Sequence, residues 1–547
     1  MEEFTFGTLA TDALKLVHHR SATSGLQHGH DLEPFDPLPG QPVTVTVRLG
    51  PDLSADHVTC YYTLDGTEPA GSRGVAGNGW VLNLEKSDVA WDTLVWGYVE
   101  TWCGVLPAQP EGVTVRYRIG AWSGAPASPG EAAVTAEVFA DFPEVQLAAE
   151  LAAAAFFAGK PLPDVTAGDP VRGHTFAYHV DNFAPPQWAR EAVIYQVFVD
   201  RFYPGDGRDW LQTEDLGGFC GGTLWGVRDK LDYIADLGAT CIWLSPIFVS
   251  PSHHGYDAID LLHVEPRLGS DAALHALVEA AHKRNIRVLL DYACNHISDR
   301  HPIFRAALED PASSYHAWFT FDDSEVGYRT FFGVPSMPQI NHAHPPARDW
   351  LIGIARYWLQ EFDVDGYRLD YANGPGPDFW TSFWTACKET KPDSFCFGEV
   401  IDAPHVQRRY AGRLDGCLDF HLGDMLRRTF ALGVRTEADL ERFLARHAAF
   451  FPPDFLTPTF LDNHDMDRFL FLAKGNKESL RRAAAVQMRL PGPRIIYQGT
   501  EVGLEQRVGK DEGLGLEVNR VPMAWGDEQD HDLLAFYQDF IRRRRVL

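Results

Sequence analysis

The sequence predicts an α/β protein: a (β/α)₈ barrel, the TIM-barrel architecture, behind an N-terminal β-sandwich and carrying a small inserted domain after barrel strand 3. Three observations predict it. From about residue 186 onward, eight short apolar runs alternate with amphipathic stretches of helical period, the signature of a closed parallel barrel. Before about residue 185 the apolar period is two instead. The residues able to do chemistry cluster at the C-terminal ends of the barrel runs, where barrels of this kind carry their sites.

In the first 185 residues, VTVTVRLG (43–50) alternates strictly, and CYYTLDGTEP (60–69) is a strand entering a D-G turn. GWVLNLE (79–85) and VTVRYRIGAW (113–122) are further strands. AAELAAAAFFAG (148–159) reads as a helical interruption, and DNFAPPQW (181–188) as a Pro-rich linker. The eight barrel strands are VIYQVFV (193–199), TCIWLSP (240–246), IRVLLDY (286–292), DGYRLD (365–370), FCFGEV (395–400), LDGCLDFHL (414–422), TPTFLD (457–462) and PRIIYQG (493–499). LDYIADLG (231–238), DAALHALVEAAHKRN (271–285) and RDWLIGIARYWLQEF (348–362) supply helices between them. An open doubly wound sheet would need a Gly-rich phosphate loop after its first strand, and VDRFYPGDG (199–207) is not one. The aromatic, Pro-rich stretch at about 297–346 is too long for a plain loop and reads as the inserted domain. The expected plan is therefore 1–185 sandwich and 186–547 barrel, with no C-terminal β-domain.

Composition narrows the function. The chain has 547 residues and a net charge of −27, which disfavours nucleic acid and anionic lipid as partners. Eight cysteines (60, 103, 220, 241, 294, 387, 396 and 417) form no C-x-x-C pair, a pattern of reduced thiols that predicts a cytoplasmic protein. The first residues lack the apolar core of a signal peptide, and no apolar run is long enough to span a membrane.

The strand ends carry a concentrated set of polar residues. Strand three ends in DYACNH, with Asp291, Asn295 and His296; strand four in GYRLD, with Arg368 and Asp370; strand five in GEV, with Glu399; strand seven in LDNHD, with His464 and Asp465. The loop after strand two adds HGYD, with Tyr256 and Asp257. An R-x-D or an N-H-D alone is more often structural, but five such motifs at successive strand ends, in order, are not. Carboxylates brought this close cannot all ionise, so one pKa must rise and an acid/base pair results. One carboxylate attacks an acetal carbon while the other protonates the leaving oxygen. Arg368 and Asp370 stand at i, i+2 on one strand face and can pair. Zinc motifs, a G-x-S-x-G elbow and a Walker loop are all missing from the sequence. His253-His254 are adjacent, so their rings diverge and they make a poor metal pair.

This ordered set resembles glycoside hydrolase family 13, the α-amylase family, over about 186–547. The matching pieces are AVIYQVFVDRF, GGTLWGV, LGATCIWLSPIF, HGYD, LLDYACNH, DGYRLD, FGEV, FLDNHD and GPRIIYQGTE. The resemblance implies Asp370 as nucleophile, Glu399 as acid/base and Asp465 as the third carboxylate. It makes Arg368 the nucleophile's positioning cation, Tyr256 the stacking platform under the reacting sugar, and His296 and His464 its hydroxyl donors. Asp257 and Arg468 resemble supports of the same subsites. MPQIN (337–341) is similar to the MPKLN motif of neopullulanases, cyclomaltodextrinases and maltogenic amylases.

Two departures stand out within the matched region. Asn373 and Gly374 replace the Lys-His that many α-amylases carry beyond the nucleophile, on the leaving-group side. Pro204 and Thr223 replace residues of the relatives' calcium loop, leaving Asp206 and Asp209. The expected function is retaining hydrolysis of α-1,4 bonds in malto-oligosaccharides, cyclodextrins or related α-glucans. A transglycosylase using the same site, or a non-catalytic glucan-binding protein, are the alternatives. No cofactor is expected for the chemistry, a structural calcium is left open, and so is the choice between monomer and homodimer.

Overall fold

The computed structural model describes residues 12–124, 137–141, 173–211, 215–510 and 515–544. The helix expected at 148–159 lies outside them.

The N-terminal strands are β1 (Leu26–Glu33), β2 (Val43–Leu49), β3 (His57–Thr63), β4 (Trp80–Asp92), β5 (Gly97–Leu106), β6 (Val113–Trp122) and β7 (Phe176–Val180). They form an antiparallel sheet in the order β1-β2-β5-β4-β3-β6-β7. β4 joins the two layers. Its first half pairs with β3 and its second half with β5, with a register shift between Lys86 and Asp88. Bulges of this kind bend a strand and let it serve two sheets. The alternation read in β2 is real: Val43, Val45, Val47 and Leu49 point into a core with Cys60, Tyr117 and Ile119.

The barrel strands are β8 (Val193–Val197), β9 (Cys241–Leu244), β10 (Arg287–Ala293), β11 (Gly366–Asp370), β12 (Phe395–Gly398), β13 (Gly416–Cys417) and β14 (Arg494–Tyr497). Every neighbouring pair is parallel, in the order β13-β12-β11-β10-β9-β8-β14. β8, β9, β11, β12 and β14 are buried along their whole length. That is why they read as continuous apolar runs. Gly366, with φ of 134°, opens β11 where a Cβ would sit 2.0 Å from the Phe395 carbonyl oxygen, so only glycine fits.

Two expected strands differ in form. The seventh, at 457–462, is no regular strand. Leu456 and Thr459 instead make isolated parallel bridges to Gly416 and Arg494 and so close the ring. The sixth is cut to two residues because the Asp419 carboxylate accepts from the Leu422 N–H (3.0 Å) and caps the helix Phe420–Leu426.

The helices between strands start where capping side chains stand. Ser270 caps Asp271–His282, Thr436 and Asp439 form a capping box on Glu437–Phe450, and Asn476 caps Lys477–Arg489. Residues 297–346 contain the α-helix Pro302–Glu309, two 3₁₀ turns (His316–Trp318 and Phe331–Gly333) and isolated bridges, and end in the first turn of the helix Pro345–Glu361.

Sandwich and barrel meet through buried charge. Arg116 of β6 pairs with Asp378 (2.5 Å), at the first turn of helix Pro377–Thr390, and Arg348 pairs with the same carboxylate (2.9 Å). Asp31 of β1 pairs with Arg409 (2.9 Å).

Candidate active site

Register sets the site. Asp291 on β10 lies beside Arg368 on β11, and Ala293 beside Asp370. β12 continues the row, and the Glu399 N–H donates to the Leu369 carbonyl (2.8 Å). Three carboxyl groups thereby surround one guanidinium. Arg368 Nη1 donates to Asp291 (2.7 Å) and to Asp370 (2.8 Å), and Nη2 lies 2.9 Å from Glu399. The i, i+2 pairing expected on β11 is present. Arg368 has no exposed surface.

One side of the cluster is built from β8, the loop after β9, the end of β10 and the segment after the seventh run. Tyr256 donates its hydroxyl proton to Asp291 (3.0 Å), and its oxygen lies 2.5 Å from His464 Nε2. The Tyr256 and His464 rings lie nearly parallel, 5.7 Å apart at 12°. Gln196 on β8 faces His464 Nδ1 (2.7 Å), which orients that imidazole. His464 also contacts Asp465 (3.1 Å). His296 is fully buried, next to Asn295 (3.2 Å), and its ring meets Phe331 at 4.8 Å.

Four carboxyls, three of them buried and Asp465 partly exposed, face two cations, Arg368 and Arg520, and protonation follows from that imbalance. Burial raises Glu399 to about 8, opposed by Arg368 and reinforced by the charges of Asp370 and Asp465. Burial likewise raises Asp291 to about 7. Asp370 is also raised, by burial first, with Arg368 pulling the other way. Asp465 goes down to about 2: burial opposes ionisation, but His464, Arg520 and Arg368 outweigh it. Burial lowers His296 to about 4 and His464 to about 3, so both stand neutral at pH 7. The result is a neutral acid at Glu399 beside Asp370, whose carboxyl is held by Arg368.

Two expected residues stand elsewhere. Arg468 is buried with its guanidinium on the carbonyls of Gln498 (3.0 Å) and Asn519 (2.9 Å) and over the Tyr497 ring. It holds loops together rather than facing the carboxylates. The Asp257 carboxylate accepts from the Ser250 (2.7 Å) and Ser252 hydroxyls, so it fixes the loop that presents Tyr256.

The cation that does reach the site is Arg520, which sequence reasoning missed. Its Nη2 donates to Asp465 (2.5 Å), Nη1 to Glu517 (2.9 Å) and Nε to the His464 carbonyl (2.9 Å). Glu517 in turn takes His253 (2.8 Å). Trp243 was missed as well; its indole N–H donates to Asp291 (3.0 Å). At the first of the two departures from the relatives, the Asn373 side-chain Oδ1 accepts from the Ile401 N–H (3.1 Å). A Cβ at Gly374 would sit 1.9 Å from Asn295 Oδ1, so a side chain there would require the Asn295 amide to move.

The loop bearing the departures from the relatives' calcium site ties its polar groups to its own neighbours. The Pro204 carbonyl accepts from the Thr223 hydroxyl (2.7 Å), and the Asp206 N–H donates to Asp229 (3.1 Å). Asp206 and Asp209 are exposed, and among the described residues no group of three or more His, Cys, Asp or Glu is arranged to hold a metal.

Residues 196–532 match the family model described as the alpha amylase catalytic domain. The chain belongs to the α-amylase family. It is 40% identical over 370 residues to alpha-amylase 2 of Dictyoglomus thermophilum, an alignment covering 67% of this chain and 65% of that protein. The chain thus spans just under two thirds of the length of that relative. Among solved structures, the ligand-free cyclic α-maltosyl-(1→6)-maltose hydrolase of Arthrobacter globiformis is similar at a TM-score of 0.62 and 30% identity, covering 66% of this chain and 84% of that one. A cyclomaltodextrinase is similar over 96% of this chain and 85% of its own, at a TM-score of 0.63 and 25% identity. That second likeness extends the family fold across the N-terminal sandwich as well as the barrel.

Proposed function

We propose that this α-amylase family chain is a retaining glycoside hydrolase that cleaves α-1,4-glucosidic bonds of malto-oligosaccharides, cyclodextrins or related α-glucans by double displacement. The observation that carries the reading is the single Arg368 guanidinium touching both Asp370 and Glu399 at the ends of adjacent strands. Carboxyls held by one guanidinium stay close, and retention needs roughly 5–5.5 Å between them, whereas inversion needs a wider gap that admits water.

In the first step Asp370 attacks the anomeric carbon while Glu399, neutral at pH 7, gives its proton to the departing glycosidic oxygen. A β-glycosyl ester on Asp370 results, and Glu399 is left as the carboxylate. In the second step Glu399 takes a proton from water, whose oxygen attacks the same carbon and returns Asp370 as the carboxylate. Asp465, held ionised by Arg520, is placed to accept hydroxyls of the distorted sugar, and Tyr256 offers its ring beneath it. His296 and His464 serve as neutral hydrogen-bonding groups around that ring.

Side chains alone carry these steps, so no cofactor is proposed. The partner is a neutral glucan; the charge of −27 disfavours polyanions. Eight free cysteines suit a reducing, cytoplasmic setting, and no helix among the described residues is long and apolar enough to cross a membrane. Replacement of the nucleophile tests the reading: Asp370→Asn should reduce maltotriose hydrolysis by about 10³-fold or more, and full retained activity would overturn it.

A further inference from the structure

The seam between sandwich and barrel holds a charge that no described residue balances. On the sandwich side, β1 breaks its register with β2 between Gln27 and Asp31, and His30 inside that break takes left-handed backbone, φ 57°. Irregularities of this kind re-aim side chains, and the strain of a left-handed histidine persists only where the surroundings enforce it. Here they turn both imidazoles inward: His28 and His30 are fully buried. His28 is held by the Thr46 carbonyl (2.7 Å) and the Tyr117 hydroxyl (2.8 Å). His30 Nε2 lies 2.9 Å from the Ala177 carbonyl on β7, an oxygen that can only accept, so this nitrogen carries its proton.

On the barrel side, the segment between β12 and β13 sets Arg409 and Arg413 against that break. Arg409 covers Gly29, where a Cβ would sit 2.4 Å from its Nη1, and donates to Asp31 through Nε (2.9 Å) and Nη2 (3.2 Å). Asp31 is thereby taken. Arg413 is 2% exposed, and its Nε and Nη1 have no hydrogen-bond partner. Its Nη2 lies 3.3 Å from His30 Nε2, where two donors face each other. Nearby carboxyls are engaged elsewhere. Asp415 pairs with Lys388 (2.8 Å) and accepts from the Cys396 N–H (2.8 Å). Asp36, against Gly412, feels Asp454 and Asp415 rather than Arg413. Burial pushes the Arg413 guanidinium well below its ordinary value, with no carboxylate to oppose it. Arginine does not give up its proton in proteins, and a buried charge without a partner is among the costliest groups a fold can hold.

We propose that the seam binds one chloride-sized inorganic monoanion on the unpaired guanidinium of Arg413, and that this ion is the counter-charge that seats the sandwich on the barrel. Two guanidiniums against one carboxylate leave a single positive charge, so one negative charge restores neutrality. The fully buried rings around it favour a small ion over a bulky one. The ion stands behind the chemistry rather than in it. Along the same segment, the Tyr410 hydroxyl donates to the Ala372 carbonyl (3.0 Å) and the Gln407 amide to the Val400 carbonyl (2.8 Å). The clasp therefore bears on the backbone just beyond both Asp370 and Glu399.

Chloride itself is the probe. At constant ionic strength, replacing sodium gluconate, whose anion is too bulky for the seam, by about 0.2 M sodium chloride should raise the wild-type melting temperature by about 2 °C or more. Arg413→Met, which keeps the stem and removes the charge, should abolish that response. Crystals of the full chain soaked in sodium bromide should show an anomalous peak within hydrogen-bonding reach of the Arg413 guanidinium. A wild type indifferent to chloride, a response that Arg413→Met retains, or a bromide map without a peak at Arg413 would overturn the proposal and leave water as the group that solvates this charge. If Arg413→Met fails to fold, the wild-type titration and the bromide map decide it.

Discussion

At the residue scale, Glu399 is the group whose environment says most. Burial raises its folded-state pKa to about 8 from an ordinary 4.5. Below 4.5 the carboxyl is protonated in folded and unfolded chain alike, and it costs nothing. Between 4.5 and 8 the unfolded chain releases the proton while the folded chain keeps it, so stability falls as pH rises; above 8 the penalty is constant. Glu399→Gln should therefore raise the melting temperature more at pH 8 than at pH 5, which differential scanning fluorimetry at both pH values will read. The same titration should remove hydrolysis on the alkaline side: kcat/KM is expected to fall as pH rises through about 8, and a profile flat to pH 10 would contradict the assignment of the acid. Arg520 shows the limit of residue-by-residue reading. Asp370 and Glu399 were legible because each stands at the end of a strand, and Asp465 because it follows the apolar run that closes the barrel. Arg520 reaches Asp465 from an irregular segment 55 positions further on, and nothing local in LEVNR marks it. Arg520→Met should lower kcat/KM by about 10²-fold or more, as loss of a buried charge partner does, whereas Arg468→Met should act mainly on stability.

At the element scale, strands were legible where both faces are buried, and illegible where the chain satisfies its backbone in other ways. LDGCLDFHL looks like a strand by its apolar residues, yet Asp419 turns it into a helix start. TPTFLD and the Leu456 before it close the barrel with one isolated bridge on each side. Asp257, which the family resemblance makes a support of the subsites, accepts two serine hydroxyls of its own loop on one carboxylate oxygen. The helix Pro377–Thr390 carries the charge that joins the domains. Its Asp378 is 12% exposed at the side chain and faces both Arg116 and Arg348. Asp378→Ala leaves two largely buried cations without that partner and should cost about 3–5 kcal/mol, read as a lowered denaturation midpoint. Asp31→Ala, whose carboxylate is 28% exposed, should cost much less.

At the scale of the whole molecule, sandwich and barrel share one buried ion pair and one partly exposed one, and the family fold covers both. The two should unfold in one transition, with calorimetric and van't Hoff enthalpies in agreement; two resolved peaks would show independent domains. The architecture was readable because the two regions use different apolar periods. The function was readable because a barrel gathers strand ends, however distant in sequence, onto one mouth. What that mouth should do is hold Asp370 and Glu399 close enough for a covalent intermediate, and the stereochemistry of the product reports on this directly. Proton NMR of a fresh maltotetraose digest should show the new reducing end appearing first as the α-anomer and only later mutarotating. A β-anomer as the first product would mean inversion, a water between the two carboxyls, and no nucleophile at Asp370.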